Sequence, residues 1–147
     1  MKQSISPTRN SNAVRILAAL GAAWNMFGVV QFSGQALASP AMLMDDGMTQ
    51  AQATLYAGLP IWMTVAFGIG VFGGLAGSLL LIAAKRLAPA LLGVSLGGYI
   101  ILFVGDITEG VFALFGVGQI VILTIVVLIA LGQLALALDV RRHGQLR

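Results

Sequence analysis

The stretch GIGVFGGLAGS, residues Gly68 to Ser78, matches GxGxxG at Gly68, Gly70 and Gly73, the spacing of the loop that cradles a dinucleotide pyrophosphate. Its flanks decide between that loop and a helix. A dinucleotide loop needs a strand before it, a helix opening at the glycines, and an acidic residue about 20 positions later for the ribose. Here the chain runs on through LAGSLLLIAA to Lys85 and Arg86, and the next acid is Asp106. On a helix turning about 100° per residue, Ala66, Gly70, Gly73, Gly74 and Gly77 fall within one arc of about 100°. Gly70-x-x-x-Gly74 overlapping Gly73-x-x-x-Gly77 is the pattern of small residues through which membrane helices approach closely. The stretch therefore reads as a tightly packed membrane helix, and Gly93 and Gly97 repeat the spacing on the helix that follows, its expected partner.

The rest of the chain agrees with lipid. Apolar residues make up 59% of the 147 and charged residues only 9%, against about 25% charged in soluble domains. A span of hydrocarbon takes roughly 20 apolar residues. The charges gather in short clusters that leave four apolar runs, Ile16 to Ala38, Pro60 to Ala84, Leu87 to Gly105 and Val111 to Leu138. The expectation is an all-α integral membrane four-helix bundle, one domain, with spans near 16–38, 60–84, 87–105 and 114–138. An amphipathic segment at 48–58 would turn Met48, Ala51, Leu55 and Leu59 to the membrane and hold Tyr56 and Trp62 at interface depth. A pI near 10 does not point to nucleic acid, because the basic residues are parcelled out between spans and form no continuous patch. With no cysteine, disulfides, thiolate chemistry and Cys-based metal sites are excluded.

Four spans gather all eight basic residues on one side with Asp139, and leave Asp45, Asp46, Asp106 and Glu109 on the other. The positive-inside rule then puts both termini in the cytoplasm. A competing reading takes Ala36-Leu37-Ala38 as a signal-peptide cleavage site, leaving three spans with the same orientation. The long lead-in through Arg15 and the polar Asn25, Gln31 and Gln35 weigh against it.

In the first span Gly21, Trp24, Gly28, Gln31 and Gln35 share an arc of about 80°, with Asn25 at its edge. Amides in hydrocarbon need hydrogen bonds, so this face should look into the bundle, either as interhelical glue or as a lining for a solute. Ser95, Tyr99 and Asp106 follow one line of the third span, away from Gly93 and Gly97. Counting from Leu87 puts Asp106 about 30 Å along the helix, at headgroup level. It reads first as a solvated loop carboxylate near Glu109, and second as a gate or proton-linked group that VFALFG, Val111 to Gly116, folds across and buries. Gln119 and Gln133, two heptads apart, should face inward as packing residues. His143 in RRHGQLR reads as a lone solvated histidine. No nucleophile has a neighbouring base, no histidine or acid cluster has metal-ligand spacing, and no catalytic motif is present, so neither enzyme activity nor a cofactor is expected.

At WNMFG (Trp24 to Gly28), LYAGLPIW (Leu55 to Trp62), GVFGGLAGSLLL (Gly70 to Leu81) and RRHGQLR, the chain resembles a family of small proteobacterial membrane proteins often labelled "sugar transporter". The likeness covers most of the chain from Arg15 onward and, more loosely, extends to DoxX-like four-helix proteins. It implies four spans and a multi-pass place in the bacterial inner membrane, and it carries over no functional residue. The expected function is small-solute transport as a homo-oligomer, with a non-transporting accessory subunit that binds a membrane-protein partner as the alternative. A polar cavity reaching the surface would favour the first, a solid bundle the second.

Overall fold

The computed structural model describes residues 11–147; Lys2 and Arg9 of the basic N-terminal cluster lie outside them. The described residues form seven helices: α1 (Ser11–Leu37), α2 (Pro40–Asp45), α3 (Gln50–Ala57), α4 (Ile61–Ile82), α5 (Ala88–Thr108), α6 (Val111–Phe115) and α7 (Val117–Arg142). Four of them, α1, α4, α5 and α7, are long and apolar enough to cross a membrane. The protein is an all-α, four-span integral membrane bundle whose many exposed Leu, Ile, Val and Phe side chains meet lipid.

The spans pack in chain order. α4 lies between α1 and α5, α5 packs along α7, and α1 meets α7 only over a short stretch. The closest approach is between α4 and α5. A Cβ on Gly98 would sit 2.7 Å from the Ala66 carbonyl oxygen and 2.8 Å from the Gly70 nitrogen, so only glycine lets these two backbones touch. Gly70 and Gly77 receive the Tyr99 ring and Leu92 from α5, and Gly73 faces Ser95. Gly74, on the same stripe, instead receives the Asn25 amide from α1. The expected partner stripe is displaced: Gly97 has nothing within 4 Å of its would-be Cβ and Gly93 meets only Leu134 at 4.0 Å. The glycines of α4 are filled by larger side chains from two neighbours, so the face of α5 that serves them is Leu92, Ser95, Gly98 and Tyr99.

One end of the bundle carries the start of α1, the α4–α5 turn and the C-terminal segment, and will be called the basic end. There α4 stops in a Schellman turn, with Ala84 left-handed at φ 53° and the Lys85 N–H donating to the Leu80 carbonyl at 2.8 Å. α7 stops the same way, with Gly144 at φ 68° and Gln145 N–H on Val140. The two turns are tied together. Arg147 N–H donates to the Ala84 carbonyl at 2.7 Å and Arg86 N–H to the Arg147 carbonyl at 2.9 Å. Leu146 is thereby buried beside Val14, Ala18, Leu81, Ala88, Leu92, Ala137 and Val140, an apolar plug joining all four spans.

The opposite, acidic end carries the short helices. α2 begins at Pro40, with Ser39 capping it through the Met42 N–H, and α3 begins with a capping box in which Thr49 and Gln52 hydrogen-bond each other's backbone N–H groups. α6 is set off by Gly110 and Gly116, both with positive φ. Gly116 at φ 75°, ψ −161° occupies a region that only glycine enters readily, and the chain turns there into α7.

Candidate functional site: a cleft between the first and last spans

α1 and α7 touch at the basic half and part at the acidic half. Their contact ends in a hydrogen-bonded cluster. Asn25, 1% exposed, donates from Nδ2 to the Gly21 carbonyl at 2.8 Å and to Gln133 Oε1 of α7 at 3.2 Å. Its Oδ1 accepts from the Tyr99 hydroxyl of α5 at 3.3 Å. Asn25 thus bonds to α7 and α5 while filling the notch left by Gly74 of α4, and it joins all four spans near mid-membrane. Ser95 deepens the same layer by donating to the Gly70 carbonyl at 2.6 Å. Gln133 Nε2 is buried with no hydrogen-bond partner. Gln133 presses on Gly21, where a Cβ would lie 2.6 Å from that nitrogen.

Above this cluster a cleft of about 230 Å³ opens, with α4 and α5 as its floor and α1 and α7 as its walls. Phe67 and Val71 come from α4, and Tyr99, Leu102 and Asp106 from α5. Trp24, Phe27, Gln31 and Gln35 form one wall, and Gln119, Ile122, Leu123 and Val126 the other. The arrangement mixes aromatic and aliphatic surface with amides, phenols and one carboxyl group, the general make-up of a small-molecule site.

Asp106 departs from its first reading as a solvated loop carboxylate. α5 continues past Gly105 to Thr108, so Asp106 lies within the helix and is 4% exposed. The physical reason is its direction: it points into the bundle, among residues of α1, α3, α4 and α7. α6 folds over α5, with Val111 fully buried and the Phe112 ring edge-on to Phe103 at 5.1 Å between centroids. Gln119 Nε2 donates to Asp106 Oδ2 at 3.1 Å and is the one hydrogen-bond donor to this carboxyl among the described residues. Glu109 remains half-buried beyond the helix.

The surface helix α3 meets both neighbours through one residue. Tyr56 turns inward, donating its hydroxyl to Gln35 Oε1 at 2.9 Å and laying its ring against Phe115 at 5.6 Å. Burial, and after it the negative charge of Asp106 nearby, push this phenol up to about 12. Ala53 is the buried residue of α3.

The residues singled out in the sequence therefore separate into three groups. Asn25, Ser95, Tyr99 and Gln133 form the hydrogen-bonded layer, with Tyr99 also reaching the cleft. Trp24, Gln31, Gln35, Asp106 and Gln119 line the cleft. Gly70, Gly73, Gly74 and Gly77 are packing notches, whereas Gly93 and Gly97 lie on a face without a close partner. Sequence reasoning missed Gly98, and gave Tyr56 an interface place without its contacts to Gln35 and Phe115. Gly98 was findable, since it stands beside the Ser95–Tyr99 line. No family model, curated protein or solved structure matches the chain.

Proposed function

We propose that the protein is a small-solute carrier of the bacterial inner membrane, with both termini cytoplasmic, that binds a neutral, sugar-like solute in the cleft between α1 and α7. The observation that carries this reading is the cleft itself. It offers donors and acceptors on two opposed walls, and the buried apolar plug with the Asn25 layer blocks it at the basic end. A site sealed at its basic end and reached from elsewhere is the form a carrier takes in one of its two states. The resemblance to proteins labelled "sugar transporter" points the same way, and the charge distribution supplies the orientation. Because four helices enclose little volume, the working unit is a homo-oligomer. The reading is non-catalytic and needs no cofactor, since amides, phenols and a carboxyl group can hold a solute by hydrogen bonds alone.

The test is counterflow of labelled hexoses, pentoses and polyols into proteoliposomes. Uptake above empty vesicles, reduced in Gln31→Leu at unchanged melting temperature, supports the proposal; no uptake of any of them refutes it. A reporter fused at Arg147 should read cytoplasmic and one at Gly47 periplasmic; the reverse would overturn the orientation. The accessory-subunit alternative rests on the exposure of Gln31 beside the exposed Phe27 on α1. It is favoured if a single membrane partner copurifies and Gln31→Leu releases it.

A further inference from the structure

We infer that the ligand enters the cleft sideways from the bilayer and is a neutral single-chain amphiphile with a hydroxyl-bearing head. The head lodges at Asp106 and Gln119, and the chain leaves between Phe27 and Ile122. This rests on the reading of the cleft as a binding site and names the class of molecule it takes.

The route follows from what covers the cleft. Toward water at the acidic end, Gln35 of α1 is hydrogen-bonded to Tyr56 of α3, and the Tyr56 ring lies on Phe115 of α6, the segment leading into α7. This chain of contacts runs from one wall to the other and crosses the mouth. Toward the basic end, Asn25 and Gln133 join the same two walls. Between these two straps no hydrogen bond among the described residues ties α1 to α7. The lips there, Phe27 and Ile122, are 58% and 60% exposed on the surface that faces lipid. The unobstructed way in is lateral.

The head-group chemistry follows from the walls. Gln31, Gln35 and Gln119 both donate and accept, and the Asp106 carboxyl group accepts in either state and donates when protonated. A hydroxyl answers all of them. An ammonium head would answer the oxygens and leave the amide N–H groups unanswered, and a carboxylate or phosphate head would set a second acidic group against Asp106. A volume of about 230 Å³ holds a small head and the first part of one chain, with the remainder in lipid, where its burial costs nothing.

The experiment uses the full chain with Trp62→Phe, which leaves Trp24 in the cleft wall as the sole tryptophan, in phosphatidylcholine nanodiscs. The probe is a monoacylglycerol with a dibrominated stearoyl chain, which quenches nearby tryptophan. The expected result is saturable quenching of Trp24, reversed by mono-oleoylglycerol, and by glycerol or glucose, which match the head alone, only at far higher concentration. Gln119→Leu should weaken it by about tenfold, the loss of one hydrogen bond to the head. The chain has no native cysteine, so a bis-maleimide bridge between Phe27→Cys and Ile122→Cys can close the lips and should abolish the quenching. If glucose displaces the probe as readily as mono-oleoylglycerol does and the bridge has no effect, entry is from water: the lateral route falls and the cleft reading stands. If quenching is linear in probe and nothing displaces it, and glucose does not shift the melting temperature, both fall.

Discussion

Asn25 and Gln31 are six positions apart on one helix and share a chemical type, yet the structure gives them opposite work. Asn25 is buried and hydrogen-bonded to α5 and α7, whereas Gln31 is exposed on the cleft wall. Asn25→Leu removes the bonds to Gln133 and Tyr99, each worth about 0.6 kcal/mol in a membrane, and leaves the Tyr99 hydroxyl unpaired. It should lower the melting temperature in nanodiscs. Gln31→Leu should leave it unchanged while weakening solute binding; equal behaviour of the two variants would contradict the division. The glycines offer a second test. At Gly74 an added side chain meets the Asn25 amide, whereas at Gly68 it meets only the edge of the Phe32 ring at 3.4 Å. Gly74→Leu should destabilise by about 1 to 3 kcal/mol or more through overpacking, and Gly68→Leu should be tolerated in the same thermal assay. The helical arc of α1 made its polar face legible in the sequence, but an arc gives a direction and not a neighbour. Asn25 sat at its edge because α1 serves α4 on one side and α7 on the other.

At the scale of elements, α3 and α6 matter most, because two short helices hold the acidic end of the cleft shut. Their link is the Tyr56 phenol. Its ionisation is opposed in the folded state, where it is raised to about 12, and proceeds near 10 in the unfolded chain. The sign follows: this contribution to stability is fully present below pH 10 and is lost as pH rises toward about 12. The melting temperature should therefore fall across that window. Tyr56→Phe should make the fall shallower; an unchanged slope would mean that the phenol is not held at the mouth. That VFALFG folds back on α5 was readable from the excess length of the fourth apolar run. The helical state of Asp106 was not, since residue counting from Leu87 ended the span at Gly105. The strap from α1 to α6 through Tyr56 left no sequence signal, because the hydrogen bond and ring contact join residues 35, 56 and 115.

For the whole molecule, the number of spans and their apolar character followed from charge spacing alone, since each charged cluster must lie outside the hydrocarbon or be buried against protein. What no spacing could give was the asymmetry of closure between α1 and α7, sealed by small and branched residues at the basic half and parted by Phe27, Gln31, Gln119 and Ile122 at the other. That asymmetry is the central claim, and pairs of spin labels measure it without a ligand. Leu17 and Leu136 border the same small hollow at the basic half, and Gln31 and Ile122 stand on opposite walls of the cleft. Each pair would be replaced by labelled cysteines in the naturally cysteine-free chain and measured by pulsed electron–electron resonance in nanodiscs. The expected result is a short, narrow distance distribution for the Leu17–Leu136 pair, and a longer and broader one for the Gln31–Ile122 pair. Equally short and narrow distributions for both pairs would mean that α1 and α7 close along their whole length, and would contradict the account.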